Sequence, residues 1–334
     1  MERLSENKII LVTRPTRLAE LVARFNTVAQ ARFYVEHLGA DFSDYQQEDA
    51  TYQHALAETQ RVLSQLGRVQ VVERKFLPNF LFGPDDIIVA LGQDGLVANT
   101  LKYLDSAQPV VGVNPDPRRW DGQLLPFRVN DLIKIIPEVF LRERPKKLVT
   151  MAKATLNNGL QMYAVNDLFI GPKSHSSARY RIQFGAESES HSSSGVIVST
   201  GLGSTGWFKS LMNGASAVAR SAGSVLIGQE AAAPPPLPKG RRKGTRRETT
   251  TVQTGFAWDA DYLFFTVREP FPTTTTGVSV VFGQVTERQP LTIESHMPEH
   301  GVIFSDGIEL DFVEFNSGTK AVISVAEKKG VLVL

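Results

Sequence analysis

Asp85-Asp86-Ile87-Ile88-Val89-Ala90-Leu91-Gly92-Gln93-Asp94-Gly95 joins an uninterrupted apolar run to a Gly-x-Asp-Gly turn, and an apolar helical pattern opens behind it at Leu96. Apolar residues without polar alternation make a strand covered on both faces, as in a parallel sheet. Outward from this strand, shorter runs of the same kind occur at residues 8–12, 69–72 and 110–113. Segments at 18–38, 52–66 and 96–104 space their apolar residues as helices do, Leu56, Val62, Leu63 and Leu66 being one such face. Strands alternating with helices predict a Rossmann-like α/β domain with a parallel sheet.

After Arg142-Glu143-Arg144-Pro145-Lys146-Lys147 the texture changes to strand-like runs at 148–152, 161–168, 179–184, 195–199, 262–267, 278–282 and 321–325, with one helical stretch at 207–220. The expected division is an α/β nucleotide-binding domain over 1–145 and an all-β, β-rich domain over 146–334. Ser188–Ser194 is polar and reads as a loop tip. Residues 231–254 form an insert: Pro234-Pro235-Pro236 excludes helix or central strand, and six of the nine residues 239–247 are basic. The insert reads as a solvated loop in preference to a polyanion-binding patch.

Composition narrows the function classes. Thirty-six Lys and Arg against 35 Asp and Glu leave a net charge of +1, which argues against nucleic acid as a partner. The chain has no cysteine, which removes disulfides, thiolate nucleophiles and Cys–zinc sites. No apolar run is long enough for a membrane span, and the N-terminus has neither a signal-peptide h-region nor a transit pattern, so a cytoplasmic protein without a membrane partner is expected. No P-loop or G-x-S-x-G motif occurs, and Pro298 opposes the helix that would bring His296 and His300 together on zinc.

Three segments offer chemistry. In the Gly92–Gly95 turn, glycine lets backbone approach a phosphate, the helix start adds partial positive charge, and Asp94 is set to take a proton from a hydroxyl or to orient a sugar. By itself an Asp-Gly pair is also an ordinary turn. Gly201-Leu202-Gly203-Ser204-Thr205-Gly206 satisfies the dinucleotide fingerprint, and Gln229-Glu230 lies near where a ribose-binding acid belongs, so a Rossmann oxidoreductase is a rival reading. Asn166-Asp167 interrupts an apolar strand, either as a sheet-edge bulge or as a hydrogen-bonding pair for a polar ligand.

Taken in order, Gly92-Gln93-Asp94-Gly95, Gly112-Val113-Asn114, Asn166-Asp167, Ser199-Thr200-Gly201-Leu202-Gly203-Ser204-Thr205-Gly206-Trp207 and Asp306-Gly307 resemble the NAD kinase pattern GGDGT, GVN, NE, STPTGSTAY and DG. Val111–Pro117 with Gly122, Val165–Gly171, Arg268-Glu269-Pro270 and Thr13-Arg14 bring the chain nearer to the mitochondrial-type branch and its bacterial relatives. The resemblance implies a site in the cleft between two domains and the reaction of ATP with NAD to give ADP and NADP. It implies Asp94 as general base on the adenosine ribose 2′-hydroxyl, with Gly92 and Gly95 near the ATP phosphates. Asn114, Asn166, Asp167, Thr200, Gly203, Ser204, Thr205, Trp207 and Ser210 would bind nucleotide. Magnesium would arrive with ATP, with no ligands assigned, and the chain would form a homodimer or higher homo-oligomer.

Four positions depart from the pattern: Gln93 for the second glycine, Leu96 for the threonine after it, Asp167 for glutamate, and Ser194 for an aspartate many NAD kinases carry. Glutamine would fit poorly at position 93 if that residue needs a positive φ. A non-catalytic NAD(P) sensor of the same fold and a lipid or sphingoid-type kinase are the alternatives.

Overall fold

The computed structural model describes residues 4–105, 108–227, 255–309 and 311–334. The insert expected at 231–254, and Gln229-Glu230, lie outside the described residues. Strands β1 (Lys8–Thr13), β2 (Arg68–Glu73), β3 (Ile87–Leu91) and β4 (Pro109–Val113) are parallel, in the order β2-β1-β3-β4. Their apolar runs are unbroken because both faces are covered. Ile9, Leu11, Val89, Leu91 and Val111 pack with Val62, Leu63, Ile135 and Ile136, from helices α3 (Phe42–Leu66) and α5 (Leu132–Phe140). Ile10, Val12, Ile88, Ala90 and Val110 pack on the other face with Leu96, Val97 and Leu101 of α4 (Asp94–Lys102).

Residues 18–38, which read as one helical segment, form α1 (Arg17–Phe25) and α2 (Val28–His37). Asn26 turns left-handed at φ 67°, and the Thr27 hydroxyl accepts the Gln30 N–H, so a cap restarts the helix.

The β-rich half contains β5 (Lys146–Leu156), β6 (Gln161–Ala164), β7 (Asp167–Pro172), β8 (Ala178–Phe184), β9 (Glu187–Ser193), β10 (Val196–Ser199), β11 (Leu263–Val267), β12 (Phe282–Val285), β13 (Leu291–Ser295), β14 (Gly301–Ser305), β15 (Phe312–Glu314) and β16 (Lys320–Val333). Among the described residues one α-helix, α6 (Trp207–Ile227), interrupts it. A separate six-stranded antiparallel sheet runs β12-β11-β10-β7-β14-β15. The first sheet grows to ten strands because β16 pairs in parallel with β4 at Val331 and Leu332, and antiparallel with β5 and β13, with β8 and β9 beyond. Tyr180, Ile182, Leu291, Ile293 and Ile323 of this sheet pack against Leu168, Ile170, Val198, Phe265 and Ile303 of the other, making a sandwich core. Among the described residues no helix is long and apolar enough to cross a membrane.

Further expectations change. The strand expected at 278–282 begins only at Phe282, as β12. Residues 188–194 are not a loop tip: 187–193 is strand β9, with His191 and Ser193 buried. His191 Nε2 lies 2.6 Å from Glu189 Oε1, its Nδ1 faces the Tyr180 hydroxyl at 3.3 Å, and Glu189 accepts the Val280 N–H at 2.6 Å. Burial here rests on a polar network, which hydrophobic patterning does not register. The run at 161–168 breaks at Val165-Asn166, because both N–H groups turn to the Asp306 carboxylate.

Candidate functional site

A cavity of about 350 Å³ opens where the end of β3 faces the antiparallel sheet. Seven residues singled out from the sequence line it together: Asp94, Gly95, Asn166, Asp167, Gly203, Thr205 and Trp207. Gln123, Leu124, Asp306 and Gly307 complete much of the wall.

Asp94 begins α4, and Gln93 before it is extended, φ −106° and ψ 164°. The residue at 93 therefore needs no positive φ, and glutamine sits there without strain. The Asp94 carboxylate accepts the Leu124 N–H at 2.7 Å and the Gln123 N–H at 3.3 Å. Gly112 makes that possible: a Cβ on it would stand 1.9 Å from the Leu124 carbonyl, so only glycine lets this segment lie against β4. Asn114 shapes the same connection, donating to the Trp120 carbonyl at 2.9 Å and accepting the Asp116 N–H at 3.0 Å. Gly92 caps the sheet end, its N–H on the Val113 carbonyl at 3.2 Å. A Cβ on Gly95 would meet nothing within 4 Å, which leaves the turn open to a ligand.

Across the cavity Asp306 holds the broken strand. It accepts the Asn166 N–H at 2.6 Å and the Val165 N–H at 3.0 Å, and its own N–H donates to the Asp167 carbonyl at 2.9 Å. Burial, then the charge of Asp306, pushes the Asp167 carboxyl up to about 7. Burial also raises Asp306, against its N–H donors and the Lys102 ammonium. Two carboxyls that are buried and act on each other favour a retained proton.

The loop after β10 locks onto the same segment. The Thr200 hydroxyl donates to the Val165 carbonyl at 2.6 Å, and the Thr200 N–H donates to the Asn166 carbonyl at 2.9 Å. A Cβ on Gly203 would fall 2.0 Å from the Asn166 carbonyl oxygen. Ser204 donates to the Gly201 carbonyl at 2.6 Å and accepts the Phe256 N–H at 3.2 Å. Ser210 is exposed, its hydroxyl on the Gly206 carbonyl at 3.3 Å. Gly92, Asn114, Thr200, Ser204 and Ser210 thus stand behind or beside the cavity, not in its lining. Asp306 could have been weighed as a site residue from its Asp-Gly pair, whereas Gln123 and Leu124 act through backbone N–H groups, which carry no residue signature.

The Gly201–Gly206 fingerprint follows β10, which is antiparallel to both its neighbours. It does not open a parallel βα unit, so the dehydrogenase reading loses its structural context. A further cavity of about 720 Å³ lies on the Gln93 side of the turn, lined by Arg14, Arg17, Arg74 and Lys75, with Pro15, Pro78, Tyr103 and Ile308 as apolar wall. Lys102 donates to Ser305 at 2.6 Å and pairs with Asp311, which also accepts the Tyr103 hydroxyl, so Ser305 and Asp311 are tied to the end of α4 between the two cavities.

A parallel sheet covered by helices on both faces continues into a β-sandwich, with an acid-bearing glycine turn where the two meet. The particular fold is that of the NAD kinases. The chain aligns over 98% of its length with an NAD kinase from Archaeoglobus fulgidus solved in complex with ATP, covering 93% of that chain at a TM-score of 0.54 and 14% identity. It aligns over 98% of its length with yeast NADH kinase complexed with NADH, covering 84% of that chain at a TM-score of 0.53 and 14% identity. In sequence it is 29% identical over 144 residues to a probable NADH kinase of Oryza sativa subsp. japonica. That match takes in 36% of this chain and 44% of the relative, less than half of the relative's length. No family model matches the sequence.

Proposed function

We propose that this chain is an NAD(H) kinase, transferring the γ-phosphoryl group of ATP to the adenosine ribose 2′-hydroxyl of the dinucleotide. The observation that carries the reading is Asp94, a carboxylate fixed by two backbone N–H groups in the cavity wall, with Asn166 and Asp167 across from it. The ribose lies in the smaller cavity, its hydroxyls on Asn166 and Asp167, and Asp94 takes the 2′-proton as that oxygen attacks the γ-phosphorus. The bond from the γ-phosphorus to the bridging oxygen breaks, and ADP leaves with the electron pair. The cavity beside Gln93 is assigned to the donor: Arg74 stands in its lining for the triphosphate with Arg14, Arg17 and Lys75, which are paired with Glu48, Asp44 and Glu73, while Glu20, Glu73 and Asp311 share the wall. Tyr103 and the prolines offer a surface for the base, and the N-terminus of α4 adds partial positive charge.

Among the described residues no group of three or more acidic or histidine side chains could cage a metal ion. A magnesium ion carried on the donor's phosphates fits this site better than a protein-held one, and no step is assigned to it. Residues 1–145 and 146–334 act as the two walls of the cleft, and the working form is a homo-oligomer.

The test is to incubate the protein with ATP, magnesium and NAD or NADH, and to quantify NADP(H) with a specific dehydrogenase beside Asp94→Asn. The variant is expected to bind nucleotide and lose activity by on the order of 10²–10⁴-fold. Wild-type protein that binds the dinucleotide yet forms no product from either redox form would replace this reading with the sensor.

A further inference from the structure

Trp207 stands between two cavities. One is the acceptor cavity; the other, of about 520 Å³, is lined by Phe169, Lys173, Ser194, Trp207, Arg268 and Phe304, with Glu269 and Glu309 on its exposed rim. The indole has two partners at its ring. Its ring stacks on Phe169 with centroids 5.9 Å apart and planes 15° from parallel, and the Arg268 guanidinium lies 5.4 Å from its centroid.

Arg268 is fixed by its backbone. Its N–H donates to the Gly195 carbonyl at 2.8 Å, and its carbonyl accepts the Ser194 N–H at 2.9 Å, fastening the end of β11 to the turn before β10. Its side chain is not spent in the same way. Nε is buried and hydrogen-bonds to no described residue, and the guanidinium makes no ion pair with one. A buried, unpaired donor is destabilising, and one retained against a cavity wall is explained by a ligand that completes it. A guanidinium offers its N–H groups as a planar fork, matched to phosphate oxygens.

The acceptor cavity alone is small for a dinucleotide. With the adenosine ribose at Asp94, the diphosphate and the second nucleoside must leave it, and Trp207 is the wall shared with the next cavity. We infer that Arg268 is a positioning residue for the diphosphate of the acceptor, leading the second half of the dinucleotide over Trp207 into the Phe169–Phe304 cavity. This rests on the acceptor reading above and adds to it the residue that selects a dinucleotide over a simple nucleoside. Lys173, stacked 4.2 Å from the Phe312 ring, contributes a second positive charge at the rim.

The experiment measures binding and turnover separately, on wild type, Arg268→Gln and Arg268→Lys. Calorimetry with NADH and with ADP-ribose, both in the absence of ATP, should show one site per chain, weakened roughly tenfold or more by Arg268→Gln and less by Arg268→Lys. In turnover the KM for the dinucleotide should rise by a similar factor, while kcat and the KM for ATP stay within about threefold. Adenosine, tested as a competitive inhibitor, should bind wild type and Arg268→Gln alike. Unchanged affinity for NADH in the variants would overturn the proposal, as would equal losses for adenosine, which mark a purely structural role. A second site per chain, itself the one lost in the variants, would assign the cation to a separate effector and also overturn it. Binding that depends on Arg268 in a protein that never turns over would leave this inference standing and remove the kinase reading.

Discussion

At the scale of single residues the site sets two carboxyls apart. Asp94 lies against backbone N–H groups, while Asp167 is buried beside Asp306, and its carboxyl is pushed up to about 7 from an ordinary 3.8. Between these values the folded chain binds a proton at Asp167 that the unfolded chain has released. Stability from this group is therefore greatest at low pH, falls as pH rises from about 4 to 7, and is level above that. Asp167→Asn should remove that slope and leave the protein about 1–3 kcal/mol more stable than wild type at pH 8, read as the difference between urea unfolding curves collected from pH 4.5 to 8. A wild type whose stability relative to the variant rises across that window would refute the assignment. Glycines divide in the same way. Gly95→Ala meets open space and removes a helical glycine, so stability should hold or rise by about 0.5–1 kcal/mol while nucleotide binding weakens. Gly203→Ala drives a Cβ into the Asn166 carbonyl and should cost several kcal/mol, on the order of 2–4, in thermal unfolding.

At the scale of elements, legibility followed apolar pattern. The strand at 87–91 and the helix behind it stood out because both faces of a parallel strand must be apolar. Strand β9 did not, since its inward side chains are His191 and Ser193, and its burial rests on hydrogen bonds to partners remote in sequence. Strands β13 and β14 went unread for a related reason: they are short, and it is their neighbours β8, β16 and β7 that give them a buried side, while β15 has three residues and none of them is buried. The motifs at 92–95, 166–167 and 201–207 were visible as residue types, yet Thr200, Ser204 and Asn114 spend their polar groups on carbonyls and N–H groups of adjoining segments. Thr200→Val should accordingly cost about 1–2 kcal/mol in stability, because it orphans the Val165 carbonyl and a hydrogen bond from Gly203, with any loss of activity tracking the loss of fold. A large drop in activity at unchanged stability would instead give Thr200 a direct contact with nucleotide.

At the scale of the whole molecule, β16 closes the chain. Its last residues, Val331 to Val333, enter the sheet beside β4, and Leu332 and Val333 are fully buried in the two clusters flanking the parallel strands. Deleting residues 331–334 should therefore unfold the α/β half as well as fray the sandwich. Circular dichroism and thermal scans should show loss of a cooperative transition; a truncated chain that still melts near the wild-type temperature would contradict this.

The sequence by itself determined the parallel α/β sheet, the switch to β-rich structure near residue 146, and the turn residues that meet at the candidate site. These are local properties: hydrophobic period, glycine conformation and the chemistry of neighbouring side chains are written in consecutive residues. Only the tertiary structure decided that Asp94 is gripped by the backbone of Gln123 and Leu124, that Asp306 organises Asn166 and Asp167, and that Trp207 and Arg268 stand between two cavities. Each of these joins segments from 29 to more than 100 residues apart, and the groups involved are backbone N–H donors, a shared electrostatic field and empty space, none of which belongs to a residue type.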